Sequence, residues 1–174
     1  MKKIFSALLL AAMFIAGSNV VFANEYDDVS LEISELYYKK QYKDALTKAD
    51  AAIVKYPKDS ELYMLRGMVK QEMNSPKSAI ADFQKAIQLN PKNDDAYFWL
   101  GSVEDDIGST QAAYVDLCRC IQINPNNGDC YFMRGLVRLK MGDLSGGQAD
   151  MDKGNNLQEK AFNQLKSEID ELTK

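Results

Sequence analysis

The chain has 174 residues, 46% of them hydrophobic and 26% charged, which is the composition of a globular protein rather than a disordered or fibrous one. Its formal net charge is −4, which excludes the basic surface that nucleic acids and anionic membranes attract. The sequence contains no histidine, the commonest general base and metal ligand, and no phosphate-binding glycine loop or nucleophile elbow. We therefore expect no enzyme, no catalytic residue, no metal site and no cofactor.

The N-terminal segment, residues 1–23, has the pattern of a secretory signal peptide. Lys2 and Lys3 precede an apolar run over residues 4–16, and Val21-Phe22-Ala23 offers a cleavage site. The run is shorter than the ~20 apolar residues that a membrane-spanning helix needs. Cleavage after Ala23 removes two lysines and changes the net charge from −4 to −6. We expect a mature domain over residues 24–174, periplasmic or secreted, of a type that bacteria export, with no membrane attachment after cleavage.

In the rest of the chain, three kinds of residue recur in one register at one constant interval. They are prolines, tyrosines and glycines: Pro57, Pro91, Pro125; Tyr63, Tyr97, Tyr131; Gly67, Gly101, Gly135. Between them, apolar residues such as Ala79, Phe83, Ala86 and Ile87 have helical spacing. Each period therefore predicts two helices joined by a short turn, with the proline ending the second helix. Such pairs must stack, because one pair cannot bury its apolar face alone.

The pattern resembles that of tetratricopeptide repeat (TPR) proteins. The resemblance rests on two successive sets of residues: Tyr63, Gly67, Ala79, Phe83, Ala86, Pro91, and Tyr97, Leu100, Gly101, Ala113, Leu117, Pro125. It implies an all-α fold, an α–α solenoid of about four TPR helix pairs. The first pair departs from the pattern at Ile33, where glycine is usual, and the fourth lacks a closing proline.

The C-terminal part of the chain predicts a weak fourth pair and a cap. Glycine inside a helix costs up to about 1 kcal/mol relative to alanine. Gly146, Gly147 and Gly154 therefore predict that the second helix of the fourth pair is the weakest. Beyond it, one face of a last helix is lined by apolar residues, Leu157, Ala161, Leu165, Ile169 and Leu172. We expect this helix to cap the solenoid.

The chain has three cysteines, Cys118, Cys120 and Cys130. Export to an oxidising compartment favours a disulfide between two of them. Cys118 and Cys120 are separated by a single residue on one helix and face different sides, so they should not bond to each other. Cys120 takes a position at which the repeat family packs helices together, and Cys130 begins the next helix. We expect a Cys120–Cys130 disulfide, with Cys118–Cys130 as the rival and three unpaired cysteines as the other alternative.

The resemblance implies an adaptor that binds a protein or peptide segment in the concave groove of the solenoid. The alternatives are a structural subunit of an envelope assembly and, less favoured, an enzyme. In the family, the first helix of each pair lines the groove. On this chain those helices carry a set of apolar residues with acids at one rim: Met64, Met68, Phe98, Phe132, Leu136, Leu139, and Glu72, Asp105, Asp106. Acids near a helix C-terminus are unfavourable, and a basic or amphipathic partner segment would offset their charge.

Overall fold

The computed structural model describes residues 25–172, so the predicted signal peptide, residues 1–23, lies outside the described residues. The described chain forms eight helices joined by short turns. In chain order they are α1 Glu25–Tyr38, α2 Tyr42–Lys55, α3 Ser60–Glu72, α4 Pro76–Leu89, α5 Asp94–Asp106, α6 Thr110–Ile123, α7 Gly128–Lys140 and α8 Leu144–Leu172. They form four successive pairs, which confirms the all-α solenoid.

The first helix of the second, third and fourth pairs begins at a side-chain cap. Asp59 accepts hydrogen bonds from the backbone N–H groups of Glu61 and Leu62, at 2.8 and 3.2 Å. Asn93 and Asn127 cap α5 and α7 in the same way. These caps satisfy N–H groups that have no partner within the helix. The repeated proline lies just before each cap, so the repeat period fixes where each pair ends and the next begins.

The helices form two layers. The first helices of the pairs, α1, α3, α5 and α7, contact one another in series. In the described chain, the second helices, α2, α4, α6 and α8, do not contact one another and pack only on the first helices. The row of first helices is therefore the tighter, inner layer, and its free side is the inner face of the solenoid. The core lies between the layers, where Phe83 and Leu117 are fully buried against the adjacent glycines of α3 and α5.

The capping segment continues α8 and does not form the separate last helix that the sequence pattern predicts. A single helix of 29 residues runs from Leu144 to Leu172 and includes both the second helix of the fourth pair and the cap. The reason is the missing proline: Pro57, Pro91 and Pro125 follow the earlier second helices, and nothing equivalent follows this one.

The glycines of α8 have a packing role. A Cβ on Gly154 would lie 2.7 Å from the carbonyl oxygen of Gly128, and one on Gly147 would lie 2.9 Å from that of Gly135. These distances are too short for a carbon atom to fit, so α7 and α8 approach each other backbone to backbone. The low helix propensity of these glycines is thereby offset by close packing against α7.

Candidate functional site

Three of the predicted groove residues lie half-open on the inner layer. Phe98 on α5 and Phe132 and Leu136 on α7 are each partly exposed. The ring of Phe98 packs edge-on against Trp99, with centroids 5.3 Å apart, and Phe98 also contacts the buried cluster around Cys120 and Cys130. Aromatic side chains held in this way are rigid and still accessible, which suits them to contact a partner.

Met64 and Met68 are buried, so the expectation that they are exposed in the groove was wrong. Their exposed fractions are 4% and 9%. Both belong to a core cluster that includes Ile33 of α1 and Leu100 of α5. The physical reason is that both side chains pack into this cluster between α1, α3 and α5, so they contribute to the core rather than to an open surface.

The acids predicted at the rim find partners within the chain. Asp105 is only 9% exposed, and the Lys140 ammonium donates to its Oδ2 at 2.6 Å. Asp106 is exposed and accepts a hydrogen bond from Gln71 Nε2 at 3.1 Å. An ammonium from the next repeat therefore offsets the charge of Asp105 near the helix C-terminus. Asp105 therefore does not depend on a partner segment to offset its charge, and Asp106 stays exposed.

Glu72, the third rim acid, lies beside two tyrosines that no pattern in the sequence indicated. Tyr37 and Tyr42 donate hydroxyl hydrogen bonds to its two carboxylate oxygens, at 3.4 and 3.1 Å. Burial, followed by the nearby carboxylate, raises the pKa of Tyr37 to about 12. Loss of solvent and the hydrogen bond to Glu72 also raise the pKa of Tyr42. Both tyrosines therefore stay protonated donors and hold the end of α3 against the first pair.

Two arginine clamps lie between the layers, one in the second repeat and one in the fourth. Arg66 Nε and Nη2 donate to the two oxygens of Asp82 at 2.9 and 2.6 Å, and Nη1 donates to Asp50 of the preceding repeat at 2.7 Å. The hydrogen bond to Asp82 is the main cause that raises the pKa of Arg66. Lys70 adds a second cation, 2.7 Å from Asp82. This bidentate geometry joins three helices of two repeats.

The fourth repeat reproduces the clamp of the second. Arg134 Nε and Nη2 each donate to Asp150 at 2.7 Å, and Arg138 Nη1 lies 3.1 Å from the same carboxylate. In place of Asp50, however, Arg134 meets the thiol of Cys118, with Nη1 3.5 Å from Sγ. A hydrogen bond to sulfur is weaker than one to a carboxylate, so the clamp connects less strongly to the preceding repeat.

The structure joins Cys120 to Cys130, the pairing expected from the sequence, and leaves Cys118 free and half-buried. The Cα atoms of the pair are 6.2 Å apart, within the range that a disulfide spans. Both cysteines are buried between α6 and α7. The link therefore connects the third and fourth repeats beside the position where Cys118 replaces an aspartate.

Helix pairs stacked in two layers, with small residues at the crossings, define an α-solenoid. Two family models identify its repeats as tetratricopeptide repeats: one described as TPR repeat matches residues 72–103, and one described as Tetratricopeptide repeat matches residues 94–127. The chain therefore carries TPR repeats in a TPR solenoid fold. No curated protein sequence matches the chain. None of the helices between residues 25 and 172 combines the length and apolar character needed to cross a bilayer.

Solved TPR structures are similar to the chain over most of its length. A crystal structure of MamA is 24% identical, with a TM-score of 0.69 over 80% of this chain and 82% of that one. A thermophilic TPR protein of Thermus thermophilus, TTC0263, is 19% identical, with a TM-score of 0.70 over 77% of this chain and 75% of that one. YrrB, described as a TPR protein with an unusual peptide-binding site, is 19% identical, with a TM-score of 0.64 over 83% of this chain and 75% of that one. These similarities establish the fold.

Proposed function

We propose that the chain is a periplasmic or secreted adaptor that binds a protein or peptide segment on the inner face of its solenoid. The observation that carries the proposal is that Phe98, Phe132 and Leu136, which lie on two neighbouring inner helices, are each partly exposed. Grouped apolar side chains of this kind usually mark an interaction surface. YrrB, with the same fold, is described as having a peptide-binding site, which supports a peptide as the ligand class.

A basic or amphipathic segment fits this face best. Three of the four inner helices, α3, α5 and α7, have an acid in the first turn, Glu61, Asp95 and Asp129 respectively. Asp106 adds an exposed carboxylate at the other end of α5. The chain has a formal net charge of −4. Such a field favours cationic segments and speeds their association. The proposal is of a binding module without catalytic activity.

The test is affinity capture from an envelope extract with three baits, each made from the full chain expressed with its leader. The first bait is the wild type, and the second carries Phe98→Ala and Phe132→Ala. The third is a matched control, Val54→Ala with Val115→Ala, which truncates two exposed apolar residues on the second helices α2 and α6. We expect a partner that the wild type and the control retain and the aromatic double variant loses.

The affinity of each variant for the captured partner then distinguishes the role of the aromatic side chains from that of Asp106. Each single aromatic truncation should weaken binding by more than about 1 kcal/mol, as anchor residues do. Asp106→Asn should mainly lower the association rate and its salt dependence. Equal retention by the aromatic double variant and the wild type would show that the partner uses another face.

One observation favours a second candidate, a structural subunit of an envelope assembly. Phe162, on the capping half of α8, is 67% exposed. A large apolar side chain at the open end of a solenoid suits end-to-end association. Light scattering after size exclusion separates the two functions: a monomer favours the adaptor, and an oligomer that Phe162→Ser dissociates favours the structural subunit.

A further inference from the structure

Three positions of the clamp can be compared across the repeats. In the order of the second, third and fourth repeats, the residues are Arg66, Leu100, Arg134 at the first position, Lys70, Glu104, Arg138 at the second, and Asp82, Asp116, Asp150 at the third. The aspartate is thus present every time. In the third repeat both of its cations are replaced, one by a leucine and the other by a second carboxyl group.

The side chains at the second and third positions are 2.7 Å apart in the second repeat and 3.1 Å apart in the fourth, so Glu104 of α5 and Asp116 of α6 face each other as a carboxyl pair. Burial, together with hydrogen bonding to Asp116 and its charge, raises the pKa of Glu104 to about 7. Burial also raises the pKa of Asp116. In the described chain, Glu104 Oε2 is buried and accepts no hydrogen bond from a donor group. Two carboxylates at hydrogen-bonding distance repel each other unless one of them carries a proton.

In the described chain, the cations on the helices packed around the pair are engaged elsewhere. On α7, Arg134 and Arg138 are both bound to Asp150, and Arg138 also donates to Tyr114. On α6 itself, Arg119 donates to Gln122. On α5, the neighbouring acid Asp105 is bound by Lys140. On α3, which also packs on α5, Arg66 and Lys70 are both bound to Asp82.

Helix α4 adds no charge at the positions equivalent to Tyr114 and Cys118. Tyr114 and Cys118 of α6 are the residues that meet Arg138 and Arg134 of the next repeat. Their equivalents one repeat earlier are Ile80 and Gln84, which are both uncharged. Among the described residues, no lysine or arginine forms an ion pair with Glu104 or Asp116.

We propose that Glu104 and Asp116 share one proton and form a pH-sensitive joint between α5 and α6, closed at mildly acidic pH and loosened at pH 8. Below pH 7 the proton joins the two carboxyl groups by a strong hydrogen bond. Above it, two carboxylates face each other in a half-buried place. Helix α5 also carries Phe98, but the titration of the joint is a property of the chain alone.

The direction of the effect follows from proton linkage. The pKa of Glu104 rises from an ordinary value of 4.5 to about 7 in the folded chain. Between these values the folded chain binds more protons than the unfolded chain, so its stability falls as the pH rises. The contribution is complete below pH 4.5 and is lost as the pH passes 7. Solvent screens a half-exposed pair, so we expect an effect of about one pKa unit, which is about tenfold in the unfolding equilibrium constant.

Urea unfolding of the full chain between pH 5 and pH 8 tests the proposal. Glu104→Gln keeps the shape of the side chain and donates a hydrogen bond to Asp116 at every pH. We expect this variant to be more stable than the wild type at pH 8. Between pH 5 and pH 8 its unfolding equilibrium constant should rise about tenfold less than that of the wild type. Glu159→Gln, which removes an exposed carboxylate of α8, is the matched control and should keep the wild-type slope.

Asp116→Asn is the second variant and should behave as Glu104→Gln does. Infrared spectra at pH 6 provide an independent readout: the wild type should show a protonated carboxyl band that both variants lack. A wild-type pH slope in Glu104→Gln and Asp116→Asn, or lower stability of both at pH 8, would overturn the proposal.

Discussion

In the second repeat, Asp82 lies between Arg66 and Lys70, whereas in the third repeat Asp116 lies beside Glu104. Both repeats nevertheless have the same two helices, of 13 and 14 residues. The crossings are set instead by a glycine against a large apolar side chain, with Phe83 in one repeat and Leu117 in the other. The comparison shows that apolar packing fixes this solenoid and leaves its polar joints free to differ.

The boundaries between repeats differ in the same way. Arg66 connects the second repeat to the first through Asp50, at 2.7 Å. At the boundary between the third and fourth repeats, Cys118 replaces this aspartate, and a neighbouring disulfide from Cys120 to Cys130 makes the connection. One boundary is held by an ion pair and the other by a covalent bond.

The largest loss of stability is expected from Gly135→Ala. It compares the helix crossing in the fourth repeat with the one in the third. An added Cβ would lie 2.7 Å from the carbonyl oxygen of Gly147 in α8. Backbone cannot move aside as a side chain can, so we expect the free energy of unfolding to fall by about 3 kcal/mol. At Gly101 the nearest atom belongs to the side chain of Leu117, so Gly101→Ala should cost only about 1 kcal/mol. Urea unfolding measures both, and equal losses would contradict the close approach of α7 and α8.

Reduction of the disulfide should have the next largest effect. The bond closes a loop between residues ten apart, so breaking it should lower the free energy of unfolding by about 2.5 kcal/mol in the chain-entropy model. Thiol titration of denatured protein from an oxidising compartment should find one free thiol before reduction and three after it. Cys118→Ser is the control: it removes the thiol outside the bond, keeps an acceptor for Arg134, and should change the free energy of unfolding far less than reduction does. Three free thiols before reduction would rule the bond out.

Glu104→Lys should transfer the chemistry of the second repeat to the third. The new ammonium would stand where Lys70 meets Asp82 and would face Asp116. We expect the free energy of unfolding to rise by about 1 kcal/mol at pH 8, and by less at pH 5.5, where the native pair already holds its proton. Urea unfolding at the two pH values checks that the gain is larger at pH 8 than at pH 5.5. A loss of stability at pH 8 would contradict the prediction.

The smallest effect concerns the turn between the helices of each pair. One residue in each of these turns has a positive φ: Lys40, Asn74, Gly108 and Gly142. Lysine is strained in this conformation and glycine is not. Because glycine also loses more entropy on folding, Lys40→Gly should stabilise by only about 0.5 kcal/mol. Asn74→Gly should stabilise less, since asparagine tolerates a positive φ. Thermal unfolding tests both, and a loss of stability for Lys40→Gly would contradict the strain.

The fold could be predicted from the sequence because the residues that mark each repeat act locally. Pro91 ends one helix pair and Gly101 marks one crossing, and both recur at the same interval along the chain. The burial of Met64 and Met68 could not be predicted, because it depends on a cluster that includes Ile33 of the first repeat and Leu100 of the third. The partner of Asp105 could not be read either, since Lys140 comes from the next repeat, 35 residues away.

The clamps fall between these cases. Arg66 and Arg134 occupy the same register, and the change from Lys70 to Glu104 is visible when the repeats are aligned. The alignment alone does not reveal that Glu104 faces Asp116, because that contact joins two different helices. Once the packing of the two helix layers is known, the change from lysine to glutamate at this repeat position identifies the Glu104–Asp116 pair.

The comparison is tested most directly by one substitution, aspartate to asparagine, at three equivalent positions. At pH 8, Asp82→Asn and Asp150→Asn should each lower the free energy of unfolding by about 2 kcal/mol, because each leaves a half-buried arginine without its carboxylate. Asp116→Asn should raise it by about 1 kcal/mol, because it removes one of two facing carboxylates. Opposite signs are the result we predict. A loss of stability at position 116 as large as those at positions 82 and 150 would show that the third joint does not differ from the other two.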